Sequence, residues 1–484
     1  MPGPLILAID QGTSATKCVL VDAAGAIVGR GAAALGEAHP QPGWVEQDAG
    51  EVWKSVQAAV AQCLESQDAG RVVAVGLSTQ RESVVMWDRR TGAPLTPLLS
   101  WQDARTAGLC DEMRLQGAEA TVRRRSGLPL DPMFSAAKAR WLLDAHDPGR
   151  TRAQAGEVCL GTVDSWLLSR FDAEPLIEAG NASRTQLLGV AEAAWDDELL
   201  ALFGVPRAAL PRVVPSNGPF PPVRGLAPLP DGVPVLAVMG DSHAALFAHG
   251  ARAPGQVKAT YGTGSSVMGL LAHPGDLDPG LCLTIAWQLA DRPQFAAEGN
   301  IRSSGSALRW LAELFGRTPE ALSELGAHSA SRGVALVPGF TGLGAPWWDR
   351  NAVGLIAGLR LDTGLADLAR AALDAVVQQV ADVVDAMRRS ADVAELFTDG
   401  GPSRSDALMR MQADALGLPV SRARDTKLSA LGVAHLAGLG AGIWSADALA
   451  SLARPRDRFE PAIDTLARES ARKQWGAAVA RARS

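Results

Sequence analysis

Apolar residues gather along this chain in short blocks broken by Gly, Ser and Thr. Residues 5–9 (Leu-Ile-Leu-Ala-Ile) and 17–22 flank Gln11-Gly-Thr-Ser-Ala-Thr16, which predicts a strand, a small-residue turn and a second strand. Residues 257–261 and 267–271 flank Gly262-Thr-Gly-Ser-Ser266 in the same way, halfway along the chain. The repetition predicts two related α/β lobes facing a common cleft, with a boundary near residue 250. Asp48-Ala-Gly-Glu51 resembles a capping box and precedes Trp53, Val56, Val60 and Leu64 at helical spacing. Asp367 opens a longer helical pattern through Leu373, Val376, Val380, Val383, Val384 and Met387. Strand-like runs at 72–77, 235–239 and 334–337 alternate with these helices, which argues for a mixed sheet in each lobe. The more charged segment from Arg454 to Ser484 predicts a terminal surface helix.

Composition narrows the function classes. A chain of 484 residues, 47% apolar, has enough apolar area for more than one packed core. The formal net charge is -6 and no basic run is long enough to track a phosphate backbone, so nucleic acid is not an expected partner. Cys18, Cys63, Cys110, Cys159 and Cys282 are widely spaced, with no C-x-x-C, which suits a reducing compartment and predicts the cytosol. The opening residues lack a basic stretch, and their apolar run ends at Asp10, too short for a secretion signal. The uncharged stretch 428–446 contains His435 and four glycines; it reads as a buried Gly/Ala helix, so no membrane partner is expected.

Candidate chemistry lies in the turns. Asp10-Gln-Gly-Thr-Ser-Ala-Thr-Lys17 places a carboxylate at a strand end, followed by amides, hydroxyls and a cation. That set suits a nucleotide phosphate with its metal, and equally an ordinary hairpin turn. Gly262-Thr-Gly-Ser-Ser266 and Asp399-Gly-Gly401 add two phosphate-sized turns. Asp241 follows an apolar strand and opens an Ala-rich segment, either as a helix cap or as a base for a hydroxyl attacking phosphorus. Arg81-Glu82 could grip vicinal hydroxyls or form a surface ion pair. His243 and His249 match no metal-ligand spacing and read as structural.

Together, Asp10-Gln-Gly-Thr-Ser14, Gly76-Leu-Ser-Thr-Gln-Arg-Glu82, Trp101-Gln-Asp-Ala-Arg105, Gly240-Asp241, Tyr261-Gly-Thr-Gly264, Phe340-Thr-Gly-Leu-Gly-Ala-Pro-Trp-Trp-Asp349 and Asp399-Gly-Gly401 resemble the FGGY carbohydrate kinases, most of all the glycerol kinase branch. The likeness runs from Leu5 to about Trp444. It includes both family signatures, Met133-Phe-Ser-Ala-Ala-Lys-Ala-Arg-Trp141, where Ala139 replaces a bulky apolar residue, and residues 354–374. The resemblance implies an α/β fold of two duplicated actin-like ATPase (ribonuclease H-like) lobes around a central cleft. It divides the chain into 1–248, holding the sugar or polyol and a phosphate loop; 249–450, holding the nucleotide; and 451–484, a surface helix or tail.

The implied activity is transfer of the γ-phosphoryl group of ATP, with Mg²⁺, to a hydroxyl of a small polyol or sugar. Asp241 matches the catalytic base, and Asp10 and Asp241 the carboxylates near the metal. Thr13, Ser14, Lys17, Gly262 and Thr263 match positions at the nucleotide phosphates. Gly305, Gly401 and Ser405 match the adenosine pocket, Ser405 in place of an Asn. Arg81, Glu82 and Trp101 match the polyol grip. Three departures fall in that same pocket: Met133 stands for a hydroxyl-binding Tyr, Ser242 for a Gln, and Ser266 for an aromatic ring. They point away from glycerol toward a C4–C6 polyol or ketose, with glycerol kinase proper as the alternative. The Pro-rich segment 217–231 differs from the family's regulatory loop, so no sugar-bisphosphate regulation is expected. A nucleotide-switched binding protein of the actin-like superfamily is the contrasting class; it leaves Arg81, Glu82 and Trp101 without a purpose, and the roughly 40 residues past Trp444 are too few for a peptide-binding domain. A homodimer is compatible with the sequence.

Overall fold

In the computed structural model, which describes residues 3–172 and 174–484, the first apolar block forms the strand Leu5–Gln11, buried along its whole length. Met1, Pro2 and Ala173 lie outside the described residues. A strand covered on both faces belongs inside a sheet. It pairs antiparallel with Ala15–Asp22 and parallel with Val72–Thr79. Ile27–Ala34 and Val235–Gly240 complete the five strands at the two edges.

Leu5, Leu7 and Ile9 share one core with Val52, Val56 and Val60 of the helix Ala49–Leu64. Asp48 caps that helix, its Oδ1 accepting from the Glu51 N–H at 2.9 Å. Alternation along the strand puts Gly76 on the opposite face from Val75 and Leu77, and there the helix Leu428–Gly440 lies against it. Small residues allow the close approach: a Cβ on Gly432 would sit 1.9 Å from the Ala244 carbonyl oxygen. A second core, from Val84 to Leu210, is built by the segment between the second and third parallel strands.

The chain folds as two units. The first contains residues 1–250, 283–295 and 427–453; the second contains 251–282, 296–426 and 454–484. In the seven-stranded sheet, Arg292–Ile301, Ser265–Leu270, Val257–Tyr261, Leu396–Gly400 and Val420–Ala423 follow one another with the same sense of pairing as the five strands above. The repeated turn thus reflects a repeated sheet.

Three elements differ from the sequence reading. The run at 334–337 forms only the short strand Ala335–Val337, paired with Leu355–Ala357 apart from the main sheet; Pro338 has no N–H with which to extend a ladder. The long helix is Leu365–Met387, beginning two residues before Asp367, whose Oδ2 accepts from the Gly364 N–H at 2.8 Å. The terminal segment is more than a surface helix. Arg456–Phe459 adds a strand beside Val420–Ala423, and the helix Thr465–Ala482 buries Trp475, Ala478, Val479 and Ala482. No helix among the described residues is long and apolar enough to cross a membrane.

Candidate active site

The three parallel strands of the first unit end side by side, with Asp10 level with Ser78 and Gly240 level with Thr79. Their carboxyl ends deliver Asp10, Arg81 and Asp241 to one place, the usual ligand side of an open α/β sheet. Asp10 accepts from Ser78 Oγ at 3.1 Å. Burial pushes its carboxyl up to about 6; Lys17, its cross-strand neighbour, opposes that shift and the Asp241 charge adds to it. Asp241 is the first residue of the helix Asp241–Ala248, its Oδ1 accepting from the Ser242 N–H at 2.6 Å and facing Arg81 Nε at 3.3 Å.

Arg81 and Glu82 are each only 5% exposed, which excludes a surface ion pair. Glu82 has a positive φ of 63°, a left-handed backbone that turns its side chain away from the strand line. Arg184, fully buried, donates from Nε to Glu82 Oε1 at 2.6 Å. Trp101 donates from its indole N–H to Thr13 Oγ1 at 3.0 Å, tying the turn at 11–16 to the loop that bears Trp101. The loop bearing Trp101 is fixed by Arg105, which bonds Asp103 and Glu46 and lies over the rings of Trp44 and Trp141. Met133 is half-buried, its carbonyl accepting from Lys138 Nζ at 2.7 Å; the same amine reaches the Ser100 carbonyl at 3.0 Å. Burial lowers the Lys138 ammonium to about 8, against the pull of Asp103, Glu82 and Asp131. Ser242 is half-buried beside Asp241, and Ser14 is exposed in the phosphate turn.

Six residues before Arg184 lies a buried carboxylate that the sequence reading passed over. Glu178 accepts from the Gly180 and Asn181 amides, Asn181 Nδ2 and Ser216 Oγ. Burial still outweighs these donors and raises its carboxyl to about 8, with Asp164 adding a smaller push. A raised acid pKa means that the folded chain holds a proton which the unfolded chain has released. That contribution to stability is full below about 4.5 and is lost as pH rises toward 8. Thermal unfolding of the ligand-free protein from pH 6 to 9 should therefore show a falling midpoint, and Glu178→Gln should flatten the fall. Equal slopes in the two proteins would contradict this.

In the second unit, Gly262, Thr263, Gly305, Gly401 and Ser405 line one cavity of about 850 Å³, with Arg309, Glu324 and His328 on its wall. The turn is strapped to the helix Gly305–Leu314: the Gly305 N–H donates to the Gly262 carbonyl at 3.0 Å, and the Ser304 and Ser306 amides donate to that of Thr263. Ser405 caps the helix Asp406–Leu416 through its hydroxyl, which accepts from the Leu408 N–H. Ser266 does not line this cavity; its hydroxyl donates to buried Glu298 Oε1 at 2.8 Å, beside Asn300. A Cβ on Gly305 would lie 2.5 Å from the Gly262 oxygen. Gly305→Ala should thus spread the turn and raise the KM for ATP by roughly three- to tenfold at unchanged acceptor KM; an unchanged ATP KM would show that the strap is dispensable.

The donor set fits a magnesium ion. Asp10 and Asp241 are carboxylates that repel one another in a desolvated site. Among the described residues no cluster of three or more His, Cys, Asp or Glu could form an all-protein cage. One or two carboxylates, completed by phosphate and water, is the usual magnesium arrangement. The sequence reading missed Arg184 and Lys138: Arg184 is the lone charge in the stretch 179–191, and Lys138 lies within the signature 133–141.

Residues 5–248 match the N-terminal domain, and residues 257–441 the C-terminal domain, of the FGGY family of carbohydrate kinases. The apulose kinase of Pectobacterium atrosepticum is 43% identical over 99% of this chain and 98% of its own. The glycerol kinase of Aromatoleum aromaticum is also 43% identical, with the same coverage. Among solved structures, the glycerol kinase of Plasmodium falciparum with ADP has a TM-score of 0.92 at 27% identity, covering 99% of this chain and 98% of that one.

Proposed function

The chain belongs to the FGGY family of carbohydrate kinases, and from that premise we propose that it moves the γ-phosphoryl group of ATP to a hydroxyl of a C4–C6 polyol or ketose. That it is a carbohydrate or polyol kinase follows from the family; the acceptor and the residue roles are our reading. The observation that carries the reading is the 3.3 Å contact between Arg81 Nε and Asp241 Oδ1. It supports the reading because it brings together the carboxylate that we take as the base and the cation that we take to grip the acceptor.

Arg81 donates to one acceptor oxygen, and Glu82, held by Arg184, accepts from a neighbouring hydroxyl. Trp101 covers the carbon chain. With its acceptor so oriented, Asp241 takes the hydroxyl proton as the oxygen attacks the γ-phosphorus. Gly262, Thr263, Gly305, Gly401 and Ser405 hold the nucleotide, and Thr13, Ser14 and Lys17 meet its phosphates. A magnesium ion held by Asp10 and Asp241 would neutralise phosphate charge when bound. The five cysteines are all buried free thiols, consistent with a cytosolic enzyme.

ADP release should depend on both ATP-Mg and an acceptor, measured over glycerol, erythritol, ribitol, D-xylulose, D-ribulose and apulose. ADP release at one rate with or without every acceptor would favour a nucleotide switch instead.

A further inference from the structure

His243 was read from the sequence as structural, yet it stands two residues past Asp241, fully buried, with Nε2 3.3 Å from Arg81 Nη1. A guanidinium has only donors, so the histidine nitrogen facing it must be the acceptor. The Thr284 hydroxyl lies 3.2 Å from that same Nε2, and Thr284 Oγ1 is 2.9 Å from Ser183 Oγ. Ser183 in turn donates to the Gly180 carbonyl at 2.7 Å. The contacts run from Arg81 through His243 and Thr284 to the short helix Ala179–Ala182, and Arg184, just beyond it, is the residue that holds Glu82. Both halves of the grip are thus braced from the same stretch of chain.

One helical turn flanks the guanidinium: Nη1 lies 3.3 Å from His243 Nε2, and Nε faces the Asp241 carboxylate at 3.3 Å as an ion pair without hydrogen-bond geometry. On the strand side, its stem leaves no room for a Cβ at Gly240, which would lie 2.5 Å from Arg81 Cδ. The contact at Nη1, with the carboxylate charge beside Nε, restrains the plane of a rigid fork and therefore the direction of its other N–H groups.

We propose that His243, as the Nδ1-protonated neutral tautomer, is a positioning residue that sets the plane of Arg81 and through it the hold on the acceptor. This rests on the reading of Arg81 as the acceptor grip. His243 does not touch the acceptor or the nucleotide in this scheme. Replacing it frees one corner of the fork, which weakens acceptor binding and leaves ATP binding alone.

The test compares wild type, His243→Leu, His243→Gln and Arg81→Lys, using whichever of the six acceptors named above wild type phosphorylates fastest. His243→Leu should raise the acceptor KM by roughly tenfold or more with the ATP KM unchanged, because an interaction with one substrate alone is lost. His243→Gln, whose amide oxygen can accept from the same guanidinium N–H, should recover most of that loss. Nitrogen-15 NMR of histidine-labelled, ligand-free wild type should show the Nδ1–H tautomer for His243, assigned by its absence in the Gln variant. An Nε2-protonated ring, or a Leu variant that folds and keeps the wild-type acceptor KM, or a Gln variant no better than Leu, would each overturn the proposal. If Arg81→Lys leaves the acceptor KM unchanged, the grip itself is misassigned, whatever His243 does.

Discussion

Asp241→Asn should leave the protein folded and able to bind ATP while lowering kcat by about 10²- to 10⁴-fold, the usual worth of a general base. The substitution suits the site. Asp241 Oδ1 accepts from the Ser242 N–H and faces Arg81, and an amide oxygen can keep both contacts. What the amide cannot do is take a proton from an attacking hydroxyl. The measurement is single-turnover phosphoryl transfer beside ADP affinity by calorimetry and a thermal midpoint. A variant keeping more than about a tenth of wild-type turnover would exclude a base of that worth. A loss of ADP affinity in step with kcat would point to disruption of the nucleotide site rather than of the chemistry.

The sheet, the repeat and the turns were legible because each is a local signal: an apolar block, a small-residue turn, a strand ending in a carboxylate. Leu5–Gln11 and Val257–Tyr261 stand where the apolar blocks beside the two turns predict them. The residues behind the grip were not legible, because their partners are remote in sequence. Glu82 and Arg184 are 102 positions apart, and His243 and Thr284 are 41 apart. No periodicity links such pairs. The exchange of 283–295 and 427–453 into the first unit was hidden for a related reason. A helix such as Leu428–Gly440, buried nearly all round, has no polar face to say which sheet it covers. The strand Arg456–Phe459 escaped because its residues are charged, and only the edge position next to Val420–Ala423 accommodates them.

The acceptor should be a C4–C6 polyol or ketose rather than glycerol, with kcat/KM higher by roughly ten- to hundredfold. Overall similarity does not decide the point, since an apulose kinase and a glycerol kinase are each 43% identical to this chain. Our proposal rests instead on Met133, Ser242 and Ser266. Met133 has no phenolic donor, and its backbone is fixed through Asp131 and Lys138, so the side chain is what differs. Ser242 is short where the resemblance leads one to expect a long amide. Ser266 offers no ring, and its hydroxyl is engaged with Glu298, next to Asn300, so this position is polar rather than aromatic. On that proposal a longer acceptor makes contacts that glycerol cannot, and its extra hydroxymethyl groups help orient the reacting oxygen. One well-used contact changes discrimination by about 1 to 3 kcal/mol, and that alone sets the expected range. The triple variant Met133→Tyr, Ser242→Gln, Ser266→Phe should move preference back toward glycerol, read as the ratio of kcat/KM values for glycerol and for the best of the six acceptors. If wild type phosphorylates glycerol best, the pocket has been misread and the chain is a glycerol kinase; if the triple variant folds with its preference unmoved, these three residues do not set it.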